Sequence, residues 1–288
     1  ELLAPLWTDV DFDKLMGQPV AANPTQYMLE AAFNVADLDW RFLTFEVSSE
    51  DFERALDGAR VFGFRGMMLA KPHRGSVHPL LDEFSERARV SGQINCIEQR
   101  GGRLIGHNTE GQSLRRMVEK QVTLEGAKAV LLGAGRFGKS AAAELALAGV
   151  QELTVVCLEP EPAQEFVNAL VEQTSLADCF VEPWPTNETL QLPEDCDLLI
   201  NATPVGRLDP RAALPIDLSR CRERVVVADM IYNPPQTWLM RHAAETGCPT
   251  VDGLTLLVEF AAAAFEIWTG ATADRETMRD AVEEFLVL

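Results

Sequence analysis

One stretch constrains the fold more than any other: Ala129-Val-Leu-Leu-Gly-Ala-Gly-Arg-Phe-Gly-Lys-Ser-Ala-Ala-Ala-Glu-Leu-Ala-Leu-Ala-Gly149. A short apolar run enters three glycines, Gly133, Gly135 and Gly138, and leaves into an alanine-rich segment of helical character. The spacing is G-x-G-x-x-G. In a strand-turn-helix the first glycine permits the tight turn, the second lets a pyrophosphate approach the backbone, and the third lets helix and strand pack closely. The helix start adds unpaired N–H groups and the positive end of a dipole. A second apolar run, 153–158, follows the helix as a βαβ unit requires. Gly133, Ala134, Gly135, Arg136, Phe137 and Gly138 are therefore candidate dinucleotide-binding residues. The same motif also occurs as a strand-helix turn that holds no ligand.

Composition narrows the partners. The 288 residues carry a formal net charge of -19. Such a surface repels nucleic-acid phosphates and anionic membranes, so the expected partner is a small molecule, with no nucleic acid and no membrane. A locally basic cleft can still take an anionic substrate. The six cysteines are scattered, with no C-x-x-C pair, and the four histidines do not cluster with them. No metal site is expected, and reduced thiols in the cytoplasm are the default. No apolar run reaches the roughly 18 residues of a membrane span. No charged-then-apolar leader opens the chain, and its start at Glu1 rather than Met is what a processed, trimmed or excised polypeptide is expected to show.

Along the chain, Leu2, Leu3, Leu6 and Trp7 belong to a lead-in, and residues 16–21 read as a short strand into a loop. Residues 25–33 have helical periodicity, with Thr25 able to cap. Residues 39–47 and 64–70 read as strands. A helix is expected from Ser48, which stands at capping-box spacing from Asp51, and another over 78–90. Residues 93–98 and 103–106 flank Gly101-Gly102 as a hairpin. This first unit reads as α/β, with parallel strands and an antiparallel edge. A helix over 108–120 leads to the glycine loop. Strand and helix then alternate over 153–158, 162–173, 197–202 and 225–230, and helices over 254–269 and 274–288 end the chain.

Several fragments together resemble the shikimate dehydrogenase family, which includes quinate dehydrogenases. They are Gly63-Phe-Arg-Gly66 with Pro72-His73, Leu81-Asp-Glu-Phe-Ser-Glu-Arg-Ala88, Asn95, Gly106-His-Asn-Thr-Glu-Gly111, Gly133-Ala-Gly135, Ile200-Asn-Ala-Thr-Pro204, Asp229-Met-Ile-Tyr-Asn-Pro234, Val251-Asp-Gly-Leu254 and Phe265-Glu-Ile-Trp-Thr-Gly270. The resemblance implies a two-domain α/β fold. An N-terminal substrate domain, 1–107, is completed by C-terminal helices over 254–288. A Rossmann-type, doubly wound nucleotide domain spans 108–253, with the active site in the cleft. It implies reversible hydride transfer between NADP or NAD and shikimate, quinate or a relative, in aromatic amino-acid biosynthesis, by a monomer or homodimer.

The resemblance also shows where this chain departs. The family's acid/base Lys, after Pro-His or Pro-Phe, matches Arg74, and its partner Asp matches His107. Arg, with a pKa above about 12, is no proton shuttle but a good planar clamp for a carboxylate. His107 titrates near neutrality and can take the proton role, unless it is an idle loop histidine. Lys71 offers another amine. Family serines that bind the substrate carboxylate match Asn23 and Thr25. Asn95 and Tyr232 still match. The family's Asn-Val-Thr strand matches Met68-Leu69-Ala70, and its Gln on the returning helix matches Phe260. The expected pocket is more apolar, with weakened or altered shikimate specificity.

On the cofactor side Thr203, Met230 and Gly253 match positions lining the nicotinamide half. After the second Rossmann strand, NADP-using members carry Asn-Arg-Thr, whereas this chain has Cys157-Leu158-Glu159. Glu159 lies 21 residues after Gly138, where an acid bonds ribose hydroxyls and repels a 2′-phosphate. The expected cofactor is NAD or NADP, with NAD favoured, although Arg136 could reach a phosphate. Simultaneous loss of the Lys and Asp leaves one alternative open: a catalytically inactive, nucleotide-binding regulatory or structural homologue.

Overall fold

The computed structural model describes residues 24–70, 73–185, 188–219, 221 and 224–287. Asn23, Lys71, the lead-in and the short strand at 16–21 lie outside them. The chain divides into two units, one reaching Thr109 and resuming at Val258, the other Glu110–Leu257.

The first unit opens with helix α1 (Thr25–Val35), which buries Met28, Leu29, Ala32 and Phe33 along one face. Its N-cap is Pro24, and no side chain caps it, so Thr25 is the first helical residue rather than the cap. The strand expected over 39–47 forms no ladder among the described residues. That segment is tied to α1 by side chains instead. The Phe42 N–H donates to the Glu30 carboxylate, and the Thr44 hydroxyl donates to Gln26 at 3.1 Å.

Helix α2 (Phe52–Phe62) starts one turn later than expected, with Asp51 at its N-cap. Ser48 and Asp51 do pair, the Asp51 N–H donating to the Ser48 hydroxyl at 3.1 Å, but in the turn before the helix. Strand β1 is short (Gly66–Met68). The helix expected over 78–90 is broken. Pro79 sits in a 3₁₀ turn, strand β2 (Glu83–Phe84) intervenes, and only α3 (Glu86–Ser91) is helical. The Asp82 carboxylate causes the break by accepting the Leu104 N–H at 2.7 Å, which draws the chain onto the sheet.

Strands β3 (Cys96–Arg100) and β4 (Arg103–His107) form the hairpin, and Gly101 and Gly102 both take positive φ (59° and 81°), as a tight two-residue turn requires. The strand order is β1-β3-β4-β2. β1–β3 and β3–β4 are antiparallel, and β2–β4 is parallel. Antiparallel pairing thus dominates this sheet, against the expected mainly parallel one, because the hairpin supplies its centre. Phe52, Leu56, Met67, Ile97 and Leu104 form the core beneath it.

Helix α4 (Thr109–Val118) leads into the second unit. Its sheet comprises β5 (Lys128–Leu132), β6 (Glu152–Cys157), β7 (Asp178–Pro183), β9 (Leu198–Asn201), β11 (Val226–Asp229) and β12 (Thr250–Val251), all parallel; β8 (Leu190–Gln191) pairs separately with β10 (Ile216–Asp217). The order β12-β11-β9-β5-β6-β7 is that of a doubly wound nucleotide fold, with its switch point between β5 and β9. The helices are α5 (Arg136–Leu147), α6 (Pro160–Gln173) and α7 (Trp238–Glu245). β7, a mostly exposed edge strand, and α7 are elements the sequence did not announce. Val130, Leu132, Val156, Leu199 and Val227 fill the core.

Helix α8 (Gly253–Thr269) then leads back, followed by α9 (Arg275–Leu286), capped by the Asp274 side chain. In the first unit α9 lies against α1 through Tyr27 and Phe285, with ring centroids 4.6 Å apart. Arg275 grips Glu259 and Glu266 of α8, fixing the two helices together. All six cysteines are free thiols. No helix among the described residues is long and apolar enough to cross a membrane.

Candidate active site

In the first unit a line of hydrogen bonds gathers three of the expected residues. Arg74, buried after β1, donates from Nε to the Leu69 carbonyl at 2.5 Å. The Leu69 N–H donates to the Asn95 carbonyl at 2.8 Å, and the Asn95 N–H to the His107 carbonyl at 3.2 Å. Arg74, Asn95 and His107 thus stand at the same end of one sheet.

The Asn95 amide is half spent. Nδ2 donates to the Thr109 hydroxyl and Oδ1 accepts the Thr109 N–H, both at 2.8 Å. Among the described residues, one N–H and one lone pair of the amide are left for a ligand. The His107 ring meets Glu98, with Nε2 3.1 Å from Oε2. Burial holds the His107 pKa below the ordinary histidine value, and the Glu98 carboxylate opposes that shift. Phe260 on α8, Met68 and Ala70 are buried apolar side chains, so they present no hydrogen-bonding group. Thr25 is fully buried in the first turn of α1.

In the second unit the glycine loop fits a dinucleotide by an observable criterion. Gly133 has φ +97°, open to glycine, and a Cβ there would lie 3.0 Å from the Ala202 carbonyl oxygen. A Cβ on Gly138 would lie 2.0 Å from the Gly133 carbonyl oxygen. A Cβ on Gly135 would meet nothing within 4 Å. Two glycines are therefore demanded by the protein's own packing. The third is not, and it leaves an open space at the N-terminus of α5, flanked by Ala134, Arg136 and Phe137. That is the space a pyrophosphate needs. Glu159, exposed, is the N-cap of α6, two residues beyond β6.

Thr203 and Met230 are hydrogen-bonded into a polar network not legible in the sequence, and Gly253 packs on the Ile231–Tyr232 backbone beside it. Asn201 and Asp229 end the neighbouring strands β9 and β11 in register. The Asn201 amide donates to Asp229 at 3.0 Å and accepts the Thr203 hydroxyl at 2.7 Å; the Met230 N–H donates to the Asn201 carbonyl at 3.0 Å. Asp229 also accepts the Ile231 N–H at 3.1 Å and the Thr237 hydroxyl at 2.6 Å. A Cβ on Gly253 would lie 2.1 Å from the Ile231 carbonyl oxygen and 2.6 Å from the Tyr232 nitrogen, so this glycine also has a packing reason. The available signal was a polar residue ending each of two buried strands.

Burial pushes the Asp229 pKa up to about 6, outweighing those three hydrogen bonds. The folded state therefore holds this proton to higher pH than the unfolded chain. The resulting stabilisation is complete below the ordinary aspartate pKa and is lost as pH rises through about 6. Asp229→Asn should remove that pH dependence and cost about 1–2 kcal/mol by turning one acceptor into a donor facing the Thr237 hydroxyl. Urea unfolding of both proteins at pH 5 and pH 8 would measure it.

The chain is similar to known proteins over nearly its whole length. The family model of the shikimate dehydrogenase substrate binding domain matches residues 15–97, and that of the shikimate 5′-dehydrogenase C-terminal domain matches residues 253–283. A shikimate dehydrogenase (NADP(+)) of Desulforamulus reducens is 32% identical over 275 residues, covering 94% of both chains. The crystal structure of a 5-ketofructose reductase of Gluconobacter sp. is 36% identical with a TM-score of 0.89, covering 93% of this chain and 95% of its own. A quinate dehydrogenase from Corynebacterium glutamicum in complex with NAD is 28% identical with a TM-score of 0.80, covering 94% and 96%. With similarity spanning nearly the whole length and both halves, the chain belongs to the shikimate dehydrogenase family.

Proposed function

We propose that the protein is an NAD(P)-dependent dehydrogenase that interconverts a carboxylate-bearing cyclic alcohol and its ketone, with altered specificity for shikimate. The observation that carries this is the glycine loop, whose one unfilled Cβ position, at Gly135, lies at the start of a helix in a chain belonging to this family. Residues 1–107 with 254–288 bind substrate, and residues 108–253 bind the nucleotide. A bound nicotinamide supplies or accepts the hydride. The loop from Gly133 to Gly138 holds its pyrophosphate, with Thr203, Met230 and Gly253 on the nicotinamide side.

Arg74 clamps the anionic group or the carbonyl oxygen, and His107 carries the proton. Asn23, Thr25 and Asn95 hold the ligand, with Tyr232 and Phe260 as walls. The apolar side chains of Met68, Ala70 and Phe260 support altered specificity. A substrate hydroxyl buried there without a partner costs about 1–3 kcal/mol. Glu159 supports NAD over NADP, because a carboxylate at the ribose repels a 2′-phosphate. Reduced thiols support a cytoplasmic location.

The 5-ketofructose reductase match supports a second reading, in which the substrate is a sugar-like ketone without a carboxylate. Steady-state assays with shikimate, quinate and 5-ketofructose, each with NAD(H) and NADP(H), separate the two. We expect kcat/KM for shikimate at least about 100-fold below that of the best substrate, and preference for NAD(H). Shikimate turnover at an ordinary enzyme rate, about 10 per second, would overturn the altered specificity. Cofactor binding without turnover of any ketone would overturn catalysis itself.

A further inference from the structure

We propose that Glu98 is the positioning residue for His107: it holds the imidazole by Nε2, so that Nδ1 is the atom that exchanges the substrate's proton. This rests on the assignment of His107 as proton carrier. The hairpin register pairs Cys96 with His107, and Glu98, two residues along β3, projects from the same face. Oε2 of Glu98 lies 3.1 Å from Nε2, with side-chain exposures of 13% and 18%. A pair so little exposed is weakly screened by solvent and salt. Among the described residues no hydrogen bond reaches Nδ1.

The surroundings keep Glu98 in place. Gly66 stands directly across from it on β1, and a Cβ there would lie 2.0 Å from the Trp268 indole nitrogen. The indole fills the place of the missing side chain and donates to the Ile97 carbonyl at 2.9 Å. Oε1 faces Arg100, with Nε at 3.6 Å on a mostly exposed side chain.

In the reducing direction the imidazolium would give its Nδ1 proton to the ketone oxygen, and a bound reduced nicotinamide would supply the hydride to the carbonyl carbon. The ring is left neutral, with its remaining proton on Nε2 and shared with Glu98. Selecting that tautomer is what a carboxylate behind a histidine does. The charged groups acting on the ring are Glu98, which favours the imidazolium, and Arg100, which disfavours it. The Cys96 thiol opposite is kept neutral by burial. On neighbouring elements Glu83 is paired with Arg103, and Glu259 and Glu266 with Arg275.

The test compares Glu98→Gln, Arg100→Ala and His107→Gln by NMR titration of the imidazole and by the pH profile of kcat/KM on the best substrate. Glu98→Gln should move both the His107 titration and the kinetic limb to lower pH, and lower kcat at least about 10-fold with KM within about 2-fold. Arg100→Ala, an exposed change, should move both to higher pH and keeps the test open if Glu98→Gln fails to fold. If neither variant moves the titration while His107→Gln abolishes turnover, the role of Glu98 is overturned alone. If His107→Gln retains turnover, the assignment of His107 is overturned, and the proposal with it.

Discussion

Replacing His107 by Gln should lower kcat/KM about 10²- to 10⁴-fold, the contribution that proton transfer by a positioned side chain makes. Gln keeps the size and a hydrogen-bonding tip but cannot release or take a proton near neutral pH. Arg74 cannot substitute, since a guanidinium does not release its proton near neutral pH. Burial also sets the sign of the pH dependence. His107 titrates below the ordinary histidine value. Reduction needs the imidazolium, so its rate should fall as pH rises through that lowered pKa. Oxidation needs the neutral ring, so its rate should rise over the same range. In His107→Gln both limbs should vanish. Steady-state rates in both directions from pH 5 to pH 9 would measure this. An unchanged kcat/KM would remove His107 from the chemistry.

Gly138→Ala should abolish measurable cofactor binding and destabilise the second unit, whereas Gly135→Ala should impair binding alone. The Gly138 Cβ would lie 2.0 Å from a backbone oxygen of Gly133. Backbone cannot rotate away as a side chain can, so strand and helix must separate. Overpacking of this kind costs about 1–3 kcal/mol and sometimes more. The Gly135 Cβ meets nothing in the protein, and Gly135 has extended backbone with φ −70°. It intrudes only on a ligand. Nicotinamide fluorescence on titration, with thermal unfolding of each apoprotein, would distinguish the two. Equal loss of stability in both variants would contradict the assignment of Gly135 to the pyrophosphate.

These two sites differ in how far they were legible. Gly133 answers to its positive φ and Gly138 to its closeness to the Gly133 carbonyl, and such local demands are written at fixed spacing. The resemblance located Arg74 and His107, because a departure shows only against a pattern. The partner of His107 went unread although a signal existed. Gly101-Gly102 defines a two-residue turn, the turn sets the register, and the register places Glu98 on the face of His107. A slip of one residue would send it to the other face. Over 78–90 the periodicity pointed to one helix, but the carboxylate of Asp82 found the Leu104 N–H, 22 residues away, and the chain became a turn, a strand and a short helix.

By itself the sequence determined the glycine loop, the hairpin, the alternating second half and the family, because these depend on glycine backbone freedom, short-range periodicity and ordered motifs. Only the tertiary structure decided that Asn201 and Asp229 face each other across β9 and β11. It alone set Trp268 into the gap left by Gly66 and showed that half of the Asn95 amide is spent on Thr109. The physical reason is the same in each case. A buried polar group must find a partner, and which group stands within 3 Å of it is settled by strand order and packing, not by neighbours in the chain.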